Sequence, residues 1–264
     1  MSDSNNATNP KTSFIIQLWC WIRIALHVAY GLLLLFIRFP FIRQSAKNEY
    51  IQSWSLILLS IFGVKLRVHN QDILPSTPFL LAANHISWMD IHAISAFKPI
   101  RFVAKSEVAN WPIFGWMARQ IGTVFIRRDS SRHGKQVAEE LSKVLRYESI
   151  CIFPEGTSTS GSSVLPFKPN LFESAVLAQV PVFSLAISYR SSITNQRTEV
   201  PAFIGDMGLL ESIGNILKYR HLCVDLAFLP PSGSSPGSPS DRKWLALHSQ
   251  EAILRYLRGD KSLM

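Results

Sequence analysis

The chain is predicted to fold as an α/β domain with a mixed, largely parallel central sheet flanked by helices, behind an N-terminal two-helix membrane anchor. Three observations predict this. Short apolar runs of strand length recur along the body of the chain, helical patterns lie between several of them, and the stretch before Val64 is far more apolar than the rest. Hydrophobic residues make up 47% of the 264 and charged residues 17%, a composition that excludes a disordered chain and suffices for one domain with a sizeable core. The formal charge is +9. Joined to so much apolar surface, that charge favours an anionic membrane over nucleic acid as the partner.

Residues 1–13 are polar and are expected to be disordered. From Phe14 to Ile42 the chain is almost wholly apolar, interrupted by Arg23, His27 and Arg38. No basic leader precedes this run and no small-residue cleavage site follows it, so a removed signal peptide is not expected. Residues 24–37 carry no Lys, Arg, Asp or Glu, yet as a helix they cover only about 21 Å of a roughly 30 Å hydrocarbon core. Extending back to Phe14 gives enough length and includes Arg23. Trp19, Arg23, His27 and Tyr30 recur at helical spacing, which suits a helix lying in the interface or packed on its own domain. A second apolar run, Ile51–Val64, completes a two-helix anchor over 14–63, flanked by Arg38, Arg43, Lys47, Lys65 and Arg67. Whether the anchor spans or only inserts is left open.

The body, 64–264, begins with VKLRVHN (64–70), which alternates as a half-buried strand should. PFLLAAN (78–84), IRFVA (100–104), GTVFI (122–126), SICIF (149–153), VPVFSLAIS (180–188) and LCVDLAFL (222–229) are short continuous apolar runs, as strands covered on both faces are. Residues 133–146 put Val137, Leu141, Val144 and Leu145 on one helical face, with Glu139, Glu140, Lys143 and Arg146 on the other. Residues 230–240 (PPSGSSPGSPS) have loop composition, and Asp241 caps a final helix running to about Leu257. Cys20, Cys151 and Cys223 sit apart in apolar runs without metal spacing, so buried thiols and no metal site are expected.

Three strand ends carry the polar residues. LLAANHISWMD (80–90) runs from a buried strand through Asn84 and His85 into a helix that starts near Asp90. With His85 in the loop and Asp90 in the first helical turn, the carboxylate can fold back on the imidazole and make its other nitrogen an oriented base. Ser87-x-x-Asp90 is equally a capping box. GTVFIRR ends in Arg127 and Arg128, forked donors suited to phosphate or else a solvated rim. SICIFPEGTS turns through Pro154 and Gly156 around Glu155, whose carboxylate can orient substrate hydroxyls or bond nearby backbone N–H groups. Strand ends in an α/β sheet are where active sites tend to lie.

These residues resemble the lysophospholipid acyltransferase family, typified by 1-acylglycerol-3-phosphate acyltransferases. The family's Asn-His with an Asp five positions on is matched by Asn84, His85 and Asp90. Its Gly with Phe-Ile-x-Arg is similar to Gly122, Phe125, Ile126, Arg127 and Arg128. Its Phe-Pro-Glu-Gly-Thr is present as Phe153 to Thr157, and its Val-Pro-Val as Val180 to Val182. The likeness covers roughly residues 60–230.

The resemblance implies a glycerolipid acyltransferase-like fold and one-step acyl transfer from acyl-CoA or acyl-carrier protein to a lysophospholipid hydroxyl. The first acceptor expected is 1-acylglycerol-3-phosphate, giving phosphatidic acid. His85 and Asp90 would be catalytic, with Asn84, Lys105, Arg127, Arg128, Glu155, Gly156 and Thr157 binding substrate. No cofactor or metal is implied beyond the thioester co-substrate. The partners implied are lysolipid, acyl donor and membrane surface, with no nucleic acid, at the cytoplasmic face of the inner membrane. Two positions depart from the pattern: Ser158 stands where an Arg is usual, and Ser184 where a second Pro is usual. The Ser158 variant, with LPFKPNLFE downstream, also resembles relatives that acylate lyso-ornithine lipid, which lacks a phosphate. A non-catalytic membrane-remodelling protein is the alternative from another class.

Overall fold

The computed structural model describes residues 10–126, 131–232 and 241–259; in the helix starting at Ser131, side chains are described from Gly134 onward. Each apolar run yields a strand. β1 (Val64–His69), β2 (Leu80–Ala83), β3 (Arg101–Lys105), β4 (Val124–Ile126), β5 (Ile150–Ile152), β6 (Val182–Ser191) and β7 (Leu222–Ser232) form one sheet in the order β1-β7-β6-β2-β5-β3-β4. Neighbours are parallel except β6 and β7, as expected of a mixed, largely parallel sheet. The carboxyl ends of β6, β2, β5, β3 and β4 therefore share one edge.

β7 runs further than its apolar residues suggest, through Pro230 and Pro231 to Ser232. Proline has no N–H to give a ladder and is tolerated where one side of a strand is unpaired. β1 stops at His69 opposite Ala227, so the two prolines lie beyond it and only β6 flanks the end of β7. The rest of the expected loop, 233–240, falls outside the described residues, as do 1–9 of the expected disordered N-terminus.

Successive strand residues point to opposite faces, and helices cover both. Leu81, Ala83, Leu185 and Ile187 face α1 (Phe14–Leu33), α2 (Gln44–Phe62), α3 (Met89–Phe97) and α7 (Leu209–Lys218). Leu80, Ala82, Ala186 and Leu229 face α5 (Ser131–Leu145), α6 (Glu173–Ala178) and α8 (Arg242–Leu257). The Asp241 side chain accepts from the Trp244 N–H at 2.7 Å, so the expected cap on α8 forms. Cys20, Cys151 and Cys223 are buried free thiols, and burial pushes the Cys151 thiol well above its ordinary range.

Of the two helices expected to form the anchor, the first has the length and apolarity of a span among the described residues, and the second keeps only Leu56 and Ile57 of its large apolar residues exposed. The segment Phe14–Phe41 is long and apolar enough to cross a membrane. The second helix, α2, instead spends Leu58, Leu59, Ile61 and Phe62 inside the domain core. Its first half is polar, which leaves too short an apolar run to serve as a span. α1 is two-sided: Cys20, Ile24, His27 and Gly31 are buried, while Phe14, Leu18, Ile22, Leu26 and Leu33 are exposed. Of the residues expected to form one polar stripe, Trp19 and Tyr30 are exposed but His27 turns inward. Its Nε2 lies 2.9 Å from the Trp54 carbonyl and its ring stacks on the indole.

Candidate active site

β2 is buried at every position and delivers its last side chains to the shared edge. Asn84 is fully buried. Its amide donates to the Ile187 carbonyl at 3.1 Å and accepts from the Ile187 N–H at 2.7 Å, extending the β2–β6 ladder by a side chain. Through these two bonds Asn84 holds the loop to β6, a structural role beside the binding one expected of it. Asn84→Ala would leave two buried backbone groups unpaired and should cost about 2–4 kcal/mol. Chemical denaturation of the purified variant checks this; an unchanged midpoint would remove Asn84 from the scaffold.

His85 and Asp90 meet. The imidazole Nδ1 lies 2.8 Å from Asp90 Oδ2. An ionised carboxylate only accepts, so Nδ1 donates and the lone pair is left on Nε2. The ring stacks on Phe153, centroids 4.0 Å apart, and about a fifth of the side chain (20%) is exposed. Asp90 is completely buried; its Oδ2 also accepts from the N–H groups of Ile86 and Ser87, at 2.7 and 2.9 Å. One carboxylate thus receives both the N–H groups at the helix entry and the imidazole. Ser87 Oγ accepts from the Met89 N–H at 3.2 Å, so this hydroxyl supports the helix entry.

Tyr189, on the neighbouring β6, was not among the sequence candidates. Its hydroxyl donates to Asp90 Oδ1 at 2.7 Å, and it is among the largest fully buried side chains. Burial, then the charge of Asp90, pushes the phenol well above its ordinary value, so it remains a donor. In sequence it is one aromatic at the end of an apolar run. Only strand register shows that it reaches Asp90.

β5 supplies the other wall. Glu155 is buried; its Oε1 accepts from the His85 N–H at 2.7 Å and its Oε2 from the Leu165 N–H at 2.8 Å. Of the two roles open to this carboxylate, the structure displays the backbone one: it ties the His85 loop to the chain beyond Ser163. Burial raises its proton affinity, and the two N–H donors oppose that rise. Gly156 takes a left-handed φ of 78°, so the turn around Glu155 has a conformational reason for glycine there. Thr157 is exposed, and the Thr159 N–H donates to the His85 carbonyl at 2.8 Å. The Ser158 hydroxyl donates to the Phe203 carbonyl.

Lys105 ends β3 on the same edge and is exposed, two strands from His85's strand. Gly122, φ 83°, turns the chain toward β4 with the Arg101 guanidinium against it. Arg127 and Arg128 lie outside the described residues. Ser184, fully buried, has a side-chain oxygen without a partner among the described residues. The described residues hold no cluster of metal-ligating side chains. The arrangement can take a proton at His85 Nε2 and stabilise the resulting imidazolium through Asp90.

Comparison with known proteins gives the family. The Acyltransferase family profile matches residues 65–188. A lyso-ornithine lipid O-acyltransferase of Pseudomonas aeruginosa is 38% identical over 213 residues, covering 78% of this chain and 77% of the relative. A 1-acyl-sn-glycerol-3-phosphate acyltransferase of Neisseria gonorrhoeae is 38% identical over 185 residues, covering 70% and 71%. The crystal structure of the Thermotoga maritima 1-acyl-sn-glycerophosphate acyltransferase superposes with a TM-score of 0.69 at 22% identity, over 94% of this chain and 97% of that one, and supports the fold. With the sheet, the His85–Asp90 pair and these likenesses together, the chain belongs to the lysophospholipid acyltransferase family.

Proposed function

We propose that the protein transfers a fatty-acyl group from an acyl thioester, acyl-CoA or acyl-carrier protein, to the free hydroxyl of a membrane lysolipid, with 1-acylglycerol-3-phosphate as first acceptor. The observation that carries the chemistry is the 2.8 Å contact of His85 Nδ1 with buried Asp90, which leaves Nε2 as the base. Nε2 takes the hydroxyl proton as the acceptor oxygen attacks the thioester carbonyl. The tetrahedral adduct collapses, the C–S bond breaks, and the imidazolium gives its Nε2 proton to the departing sulfur, which restores neutral His85. The products are an ester and a free thiol, and Asp90 stays ionised throughout. A thioester is already an activated acyl group, so a positioned base suffices and no acyl-enzyme is required.

The arginines at 127 and 128 support a phosphorylated acceptor, since a guanidinium fork matches phosphate oxygens. A second reading, lyso-ornithine lipid, is favoured by Ser158, whose hydroxyl is spent on Phe203 where the family usually has a cation. The acceptor panel that separates them uses one labelled thioester, membranes containing the protein, and each lysolipid in turn. A rate with 1-acylglycerol-3-phosphate at least tenfold above that with lyso-ornithine lipid is expected, about 1.4 kcal/mol of discrimination. The reverse ratio would transfer the assignment to lyso-ornithine lipid, and transfer to neither would favour a non-catalytic membrane-remodelling role. The exposed apolar face of α1 supports a seat on a membrane; that seat is proposed to be the cytoplasmic face of the inner membrane, with lysolipid arriving from the bilayer and thioester from the cytosol.

A further inference from the structure

Four consecutive apolar residues, Trp111-Pro112-Ile113-Phe114, are all exposed where the chain after β3 enters α4 (Phe114–Gln120). Such a run on a surface calls for a partner. The segment is also tightly built. Ile113, a β-branched residue, holds φ 64° and ψ −64°, and the Phe114 N–H donates to the Pro112 carbonyl at 2.6 Å, a γ-turn that is normally strained. The Gly115 N–H donates to the Trp111 carbonyl at 3.0 Å. A Cβ on Gly115 would meet the Ala109 carbonyl oxygen at 2.5 Å, so only glycine lets the turn close on the preceding short helix. Arg119 adds a bond to the same carbonyl at 3.1 Å. The backbone thus holds Trp111, Ile113 and Phe114 outward at a conformational cost, which points to use.

The position suggests what they meet. α4 abuts the end of the apolar N-terminal segment: Phe36 stacks on Trp116 with centroids 4.5 Å apart, and Gly31 lies against Met117. Leu33, Phe36, Ile37 and Phe41 are exposed beside it, so the turn continues the apolar surface of the anchor. In sequence the turn is flanked by exposed Lys105, Glu107 and Arg119, and Phe36 is followed by exposed Arg38, a net positive surround suited to anionic headgroups. The turn follows β3, whose carboxyl end lies two strands, about 10 Å, from that of His85's strand.

We propose that the Trp111–Phe114 turn is a second membrane-inserting element that, with α1, presses the His85 edge of the sheet onto an anionic bilayer. The proposal rests on the membrane-anchor reading of α1. Two points of attachment would fix the tilt of the domain and bring a lysolipid hydroxyl to His85 without drawing the lipid far out of the membrane.

The test uses the full chain carrying an environment-sensitive fluorophore on Phe114→Cys, or as reference on Leu26→Cys in the exposed face of α1, with phosphatidylcholine vesicles containing phosphatidylglycerol. Both probes should shift to the blue on mixing. A shift at Leu26 with none at Phe114 overturns the turn's insertion and spares the anchor; no shift at either overturns both. Independently, a triple variant Trp111→Ser, Ile113→Ser, Phe114→Ser should lose about tenfold or more in vesicle partitioning, since each serine forfeits part of an apolar transfer free energy. Its activity on detergent-dispersed substrates should stay near wild type. Unchanged partitioning with a raised KM for the thioester would instead make the turn a contact for the donor's acyl chain, and the proposal would fall.

Discussion

His85→Ala should lower the rate of acyl transfer by about 10²–10⁴-fold while leaving the KM for the thioester near its wild-type value. The size follows from the mechanism. In the proposed one-step transfer the thioester needs no further activation and no covalent intermediate divides the step, so the base is the main chemical contribution asked of the described residues. Removing it leaves positioning, which accounts for residual turnover. The fold should survive: the imidazole is partly exposed, and Asp90 Oδ2 keeps the Ile86 and Ser87 N–H donors. Initial rates with a labelled thioester and lysolipid, together with a thermal melt, check both halves. Activity within a few-fold of wild type in a folded variant would discard His85 as the base.

Much of this site was legible in the chain, for identifiable reasons. Strand ends announce themselves when an apolar run stops at polar residues, and that is how Asn84, His85 and Glu155 came into view. The pairing of His85 with Asp90 was legible only as one of two readings, because the same spacing at a helix start also lets the carboxylate cap the Ile86 and Ser87 N–H groups, and in the structure it does both. What the chain concealed is the division of labour. Asn84 and Glu155 are polar and lie beside the base, which suits substrate binding as well as structure; only the fold shows them bonded to the Ile187, His85 and Leu165 backbone. Tyr189 was hidden because its contact with Asp90 spans 99 positions and depends on the β2–β6 register. The anchor is less legible: hydropathy marks apolar runs but does not tell membrane from core, and α2 buries Leu58, Leu59, Ile61 and Phe62 while Leu56 and Ile57 stay exposed.

Asp90→Asn and Tyr189→Phe should separate charge from position at the buried end of the pair. In Asp90→Asn the amide oxygen can keep the three donors at the Oδ2 position, and the amide N–H can donate to Tyr189, whose hydroxyl also accepts. Geometry is thus largely preserved and the lost quantity is the negative charge beside the imidazolium, for which a drop of about 10²–10⁴-fold is expected. Without that charge the imidazolium is disfavoured, so the acidic limb of the kcat/KM profile should move to lower pH. Tyr189→Phe does the opposite to the same carboxylate. It removes the donor at Oδ1, leaves the ionised carboxylate less stabilised, and so strengthens its hold on a proton at His85. The acidic limb should then move to higher pH, with a loss of rate of about tenfold from poorer orientation and about 1.5–3 kcal/mol of stability. Opposite movements of one limb are the signature of a carboxylate that acts by charge and is itself positioned by a phenol. If Tyr189→Phe lowers stability but leaves the limb in place, the phenol is packing alone. If Asp90→Asn leaves the limb in place, the carboxylate caps α3 and does not tune the base.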